Sequence, residues 1–124
     1  MTYNFHEFEN LLLSKLKTTS IGLAVITNAG SLIYENLQKL DNKKETLALA
    51  TETILRITEI VNKLTAKIPE LLIYKSTKAF LIIIPSYYQK HFYVFFGANS
   101  SSPEITQICL QNTIETFEKR YITS

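Results

Sequence analysis

The 124-residue chain holds one cysteine, three glycines and three prolines, has no tryptophan, and carries a formal net charge of only +2. Each scarcity excludes something. A lone cysteine, Cys109, cannot form a bridge within the chain, which fits a reducing cytoplasmic setting. Gly22, Gly30 and Gly97 are too few and too scattered to write the phosphate-cradling loops of dinucleotide or P-loop proteins. The lysines sit in small groups separated by glutamates, so no basic stripe for nucleic acid is formed. No uncharged run reaches the ~20 residues that span a bilayer, and "MTYNFHEFEN" lacks the basic start of a signal peptide. A soluble, unprocessed chain is expected, with residues 1–124 forming a single domain large enough to bury its own core.

What the chain does have is clear periodicity. Asn4-x-x-Glu7 has the form of a capping box, Tyr3 is placed to staple against Phe8, and Phe5, Phe8, Leu12 and Leu16 recur at helical spacing to about Lys17. Six uncharged residues from Ile21 to Ile26 predict a strand covered on both faces. Asn28-Ala29-Gly30 predicts its turn, and Ser31 to Asn36 the return strand. A long helix is expected from Lys43 to Lys67, capped by Asp41 or Asn42 and stopped before Pro69. Its core ridge reads Leu47, Ala50, Ile54, Ile57, Val61, Leu64 and Ile68, and Glu52 with Arg56 and Glu59 with Lys63 mark the solvated side. Strands follow at Leu71 to Lys75, Ala79 to Ile84 and His91 to Phe96. Ser102-Pro103-Glu104 then opens a last helix running to about Tyr121.

The order α-β-β-α-β-β-β-α places the chain in the α+β class. Short hairpins pair sequence neighbours, and the uninterrupted apolar strands "IGLAVI" and "HFYVFF" belong in the middle, which gives a five-stranded antiparallel sheet of order 2-1-5-4-3 with helices on both faces. Such a sheet is about 24 Å wide and a helix about 10 Å across, so one face of the sheet needs two helices. With three helices in all, the other face is left half covered, and a partner is expected to complete it. Beside the core ridge of the long helix runs a second ridge of small and β-branched residues, Ala48, Thr51, Leu55, Thr58, Asn62 and Thr65, suited to close approach of another helix. The strand "LLIYK" is predicted to lie at an open edge, so Leu71, Ile73 and Lys75 join the expected dimer interface.

The hairpin "GLAVITNAGSLIYEN", the helix around "ALATETILRITEIVNKL", and the strands "AFLIIIP" and "HFYVFFGANSSSPEI" together resemble the roadblock family, the dynein light-chain roadblock type within the roadblock/longin superfamily. The resemblance covers essentially the whole chain. It implies a homodimer or a heterodimer with a paralogue, sharing a sheet. It also implies a small Ras-like GTPase, or a scaffold subunit of a motor or membrane-trafficking complex, as partner, with recruitment to membranes only through that partner.

Chemistry is sparse. His6, His91 and Cys109 have no nucleophile, base or metal set around them in the sequence and are read as structural. The hydroxyls of "NSSSPE" read as helix capping. In "PSYYQKHFY", Tyr87 and Tyr88 are candidate partner contacts. Arg56 and Arg120 are the only arginines that could act as a finger on a GTPase, and Arg56 is read as a solvated pair with Glu52. The expectation is a non-enzymatic interaction module without catalytic residues, cofactor or metal. The competing expectation is a small-ligand sensor of profilin/PAS-like architecture, which would need a pocket that the bulky runs "AFLIII" and "HFYVFF" disfavour.

Overall fold

The computed structural model describes residues 3–16, 20–37, 42–64, 72–75, 79–86, 91–98 and 102–123. In chain order these form α1 (Phe5–Lys15), β1 (Ser20–Thr27), β2 (Leu32–Asn36), α2 (Lys43–Leu64), β3 (Leu72–Lys75), β4 (Ala79–Pro85), β5 (His91–Ala98) and α3 (Pro103–Thr123). The architecture is α+β. The strands build one sheet in the order β2-β1-β5-β4-β3, with every neighbouring pair antiparallel.

The two faces of the sheet carry separate cores because side chains alternate along each strand. Leu23 and Val25 of β1, Phe80, Ile82 and Ile84 of β4, and Tyr93 and Phe95 of β5 pack under α1 and α3, against Phe5, Phe8, Leu12, Leu110, Ile114 and Phe117. Their alternates, Ala24 and Ile26, Ile83, and Phe92, Val94 and Phe96, meet α2 through Ala50 and Ile54. Among the described residues, one face of the sheet is therefore served by two helices and the other by one.

Local signals set most element ends. Asn4 caps α1 by accepting the Glu7 N–H through its side-chain oxygen at 3.3 Å. The reciprocal half of the box is not made, because the Asn4 N–H donates to the Tyr121 hydroxyl at 2.9 Å while Glu7 pairs with Arg120 at 2.8 Å. Tyr3 accordingly packs its ring on Phe5, His91, Phe117 and Tyr121, which joins the entry of α1 to the end of α3. The first helix stops at Lys15, short of the expected Lys17, since Leu16 is already extended. Ser102 caps α3 by accepting the Ile105 N–H. In the first hairpin Gly30 sits at φ +91°, a conformation glycine adopts at no steric cost, and Thr27 closes the turn from both its backbone and its hydroxyl.

Some expected boundaries move by a residue or two. β1 extends to Thr27, β5 to Ala98 and α3 to Thr123, while β2 begins at Leu32. A shift in register between Val25 and Ile26 sets Ile26 opposite Leu32 and leaves Ile33 as the extra residue of the bulge, so both Leu32 and Ile33 are exposed. The core ridge of α2 is anchored at Ala50 and Ile54, with Leu47 packed beside them, but Leu64 is 76% exposed in the single chain. Ile68 lies outside the described residues.

Candidate functional site

Among the described residues, α2 is the single helix on its face of the sheet. The hairpin turn covers one flank of this helix: a Cβ added at Gly30 would lie 3.3 Å from both Leu55 Cδ1 and Thr51 Cγ2. Two members of the expected small-residue ridge are thus engaged by the chain's own turn. Ala48 is exposed, and Thr58 is half-buried with its hydroxyl unpartnered. Thr65 and Leu71 lie outside the described residues, as do Tyr87 and Tyr88, and the side chain of Asn62 is likewise not described. Ile73 and Lys75 are on the edge strand β3, in register with Ile82 and Phe80 of β4.

The opposite flank has a different character. At about 100° per residue, Leu49, Thr53, Ile60 and Leu64 line the side of α2 away from Thr51 and Leu55. Leu49 is 65% and Ile60 57% exposed. The Gly30 turn, which joins β1 to the edge strand β2, lies on the other flank of α2, against Thr51 and Leu55. Leu81 of β4 packs against the core under α2 and is only partly buried. Outward of the apolar flank, Glu52, Arg56, Glu59 and Lys63 form a row of alternating sign, linked as Arg56–Glu52 at 3.5 Å and Lys63–Glu59 at 3.3 Å, all well exposed.

Seen in shape, this arrangement of sheet and helices has counterparts. No family model matches the sequence, and comparison with curated proteins gives no match. Among solved structures, the gliding protein MglB of Thermus thermophilus superposes with a TM-score of 0.74 at 10% identity, over 96% of this chain and 93% of that one. An MglB in a tetrameric arrangement gives 0.74 and 10%, over 96% and 92%. A Roadblock/LC7 domain from Streptomyces avermitilis gives 0.64 at 8% identity, over 91% and 92%. The fold is roadblock/longin-like. At such low identity the agreement is one of shape, and no side-chain role passes from those proteins to this one.

Within this roadblock-like fold the buried polar chemistry lies on the two-helix face. Glu118 of α3 is fully buried and accepts hydrogen bonds from the Tyr93 hydroxyl at 2.6 Å and the Ser86 hydroxyl at 2.7 Å. His91 Nε2 stands 3.5 Å from the same carboxylate oxygen, close enough for charge attraction if the ring is protonated but not aligned as a hydrogen bond. Burial by itself raises the Glu118 carboxyl, yet the imidazole and the two hydroxyls outweigh burial and hold it below the usual carboxylate range. The Tyr93 phenol is pushed far up, first by burial and then by the charge of Glu118. A second buried acid, Glu9 of α1, accepts from the Tyr34 hydroxyl and from Asn36 Nδ2, clamping β2 to α1. Burial, with the Glu9 hydrogen bond and charge adding to it, raises the Tyr34 phenol as well.

Ser86, His91 and Glu118 do not make a nucleophilic relay, because the serine donates directly to the carboxylate and the imidazole does not stand between them. The cluster ties the ends of β4, β5 and α3 together. His91 is framed edge-on by Tyr3, Phe5 and Tyr93. Arg120 is held by Glu7, and Cys109 packs against the two-helix core. Neither buried acid stands out in a reading of charge alone. Helical phase reveals both: Glu9 follows Phe5 by four residues and Glu118 follows Ile114 by four, each in step with core positions.

Proposed function

We propose that the chain is a dimeric, non-catalytic interaction module that regulates or scaffolds a small Ras-like GTPase, or a subunit of a motor or membrane-trafficking complex. The observation that carries this reading is the exposure of Leu49, Ile60 and Leu64 on α2, the single helix that the described residues place on that face of the sheet. Burying such side chains contributes about 1.5–3 kcal/mol each before the costs of association, a large share of the stability of a domain. The dimer seats its second copy on the α2 face and along edge strand β3, at Leu71, Ile73 and Lys75. The tetrameric MglB of the same fold is in keeping with self-association. Tyr87 and Tyr88 are the proposed contacts for the further partner.

The partner class rests on the family resemblance, and the cytoplasmic setting on the unpaired Cys109. No described helix is long and apolar enough to cross a membrane, so a membrane role through helices of this region would depend on the partner. The test is capture of small GTPases from the source cell on the immobilised protein, loaded in turn with GTP and GDP. Nucleotide-dependent retention of one GTPase supports the reading. Indifference to all of them removes the GTPase while leaving the dimer to be judged by mass.

A further inference from the structure

We propose that the edge strand β2 is a separate interaction surface, which takes an extended basic segment of another protein as an added strand of the sheet. β2 is at the opposite edge from β3. The surface therefore stands whether or not the dimer proposed above forms.

β2 pairs with β1 on one side, and among the described residues no strand lies on its other side. The stretch from Ser31 to Asn36 lacks the lysine or proline that commonly guards such an edge. Its bulge lies at the start of the strand and leaves Leu32 and Ile33 exposed, while Tyr34, Glu35 and Asn36 keep a regular register with Val25, Ala24 and Leu23. The strand is held from both faces. Toward α1, Tyr34 and Asn36 are clamped by the buried carboxylate of Glu9. Toward α2, the turn that precedes the strand rests on Thr51 and Leu55. An edge fixed in this way offers its outer main-chain donors and acceptors without needing to be ordered on binding, which lowers the cost of adding a strand.

Backbone chemistry selects a strand as the occupant, because an extended segment can pair with such an edge, whereas a helix has already spent its own donors and acceptors. Charge selects the composition. Glu35 is exposed, and among the described residues it has no ion-pair partner. A segment with lysine or arginine beside Glu35 and branched apolar residues beside Leu32 and Ile33 complements this edge. The β2 strand of a second copy does not, since it brings another Glu35 and no cation.

The probe is a fluorescein-labelled peptide of alternating lysine and valine, titrated into the full chain and read by anisotropy, with hydrogen exchange of the β2 amides followed by NMR. Saturable binding that slows exchange along β2 is expected. Methylating one alternate set of the peptide's amide nitrogens should abolish binding and methylating the other set should spare it, because strand addition uses a single edge of the peptide. Glu35→Lys should weaken the basic peptide about tenfold and favour one of alternating glutamate and valine. No saturable binding, equal binding by both methylated peptides, or indifference to Glu35→Lys would each overturn the proposal. A wild-type mass above that of a dimer that falls in Glu35→Lys would show the occupant to be a copy of this chain, and would overturn it as well. None of these failures bears on the dimer, whose mass is measured without the peptide.

Discussion

Removing the carboxylate of Glu118 is the most informative perturbation of the folded chain. Glu118→Ala leaves the buried Tyr93 hydroxyl without the acceptor it reaches at 2.6 Å and Ser86 without the one at 2.7 Å. Hydrogen bonds to a charged acceptor are worth about 1.5–3 kcal/mol each, and breaking a buried charged cluster typically costs about 3–5 kcal/mol. The expected loss is in that upper range. At roughly 4 °C per kcal/mol it corresponds to a fall in Tm of about 12–20 °C. Glu118→Gln keeps the shape and one acceptor oxygen, so it should lose only about 1–2 kcal/mol. Acid supplies the sign. The Glu118 carboxyl is depressed in the folded chain, so its contribution is present above its unfolded value of 4.5 and is lost as pH falls through the lower folded one. Urea unfolding of wild type and Glu118→Gln at fixed protein concentration, from pH 7 to pH 3, should show a gap that narrows in acid. Equal stability at pH 7, or a gap that stays constant to pH 3, would refute the role assigned to this carboxylate.

Further outcomes follow from the same structure. Gly97→Ala should destabilise by about 1–3 kcal/mol or more, read by thermal unfolding, since the added Cβ would fall 2.2 Å from Cζ of the buried Phe80 ring. Gly30→Ala should cost about 1–2 kcal/mol through its positive φ and should weaken the seating of the turn on Thr51 and Leu55; an unchanged melting curve would contradict that turn. Because the Tyr93 phenol is raised in the folded chain, its stabilising contribution is whole below the unfolded value of 10.0 and declines as pH rises beyond it. The decline approaches about 1.4 kcal/mol per pH unit. Tyr93→Phe should flatten that alkaline slope in urea titrations, with the partly exposed Tyr34 leaving a smaller remainder.

Much of the scaffold is legible in the sequence because local chemistry and global packing agree. Asn4, the Asn28-Ala29-Gly30 turn and Ser102-Pro103 each mark an element end through a hydrogen bond or a backbone angle that only a few residue types supply. The uninterrupted apolar runs of β4 and β5 announce a sheet with apolar cover on both faces, and Ala50 with Ile54 announces the buried side of α2. The flank of α2 left exposed is harder to read. Small residues point to Thr51 and Leu55, yet where the Gly30 turn lands depends on the three-dimensional path of the hairpin. Leu64 is in step with the core, and only the geometry of the sheet shows it exposed. The paired acids Glu9 and Glu118 are hidden by their charge, since a buried carboxylate becomes acceptable only when tyrosine, serine, asparagine or histidine partners arrive from strands distant in sequence.

The idea on which the functional reading depends is that one copy leaves the α2 face unfinished. Sedimentation equilibrium at micromolar concentration measures this most directly. Twice the 14.2 kDa mass of one chain is the expected result, shifting toward the single-chain mass when Leu64 is replaced by lysine. A wild-type protein that remains at the single-chain mass as its concentration is raised, with Leu49, Ile60 and Leu64 open to solvent and no tendency to associate, would contradict it.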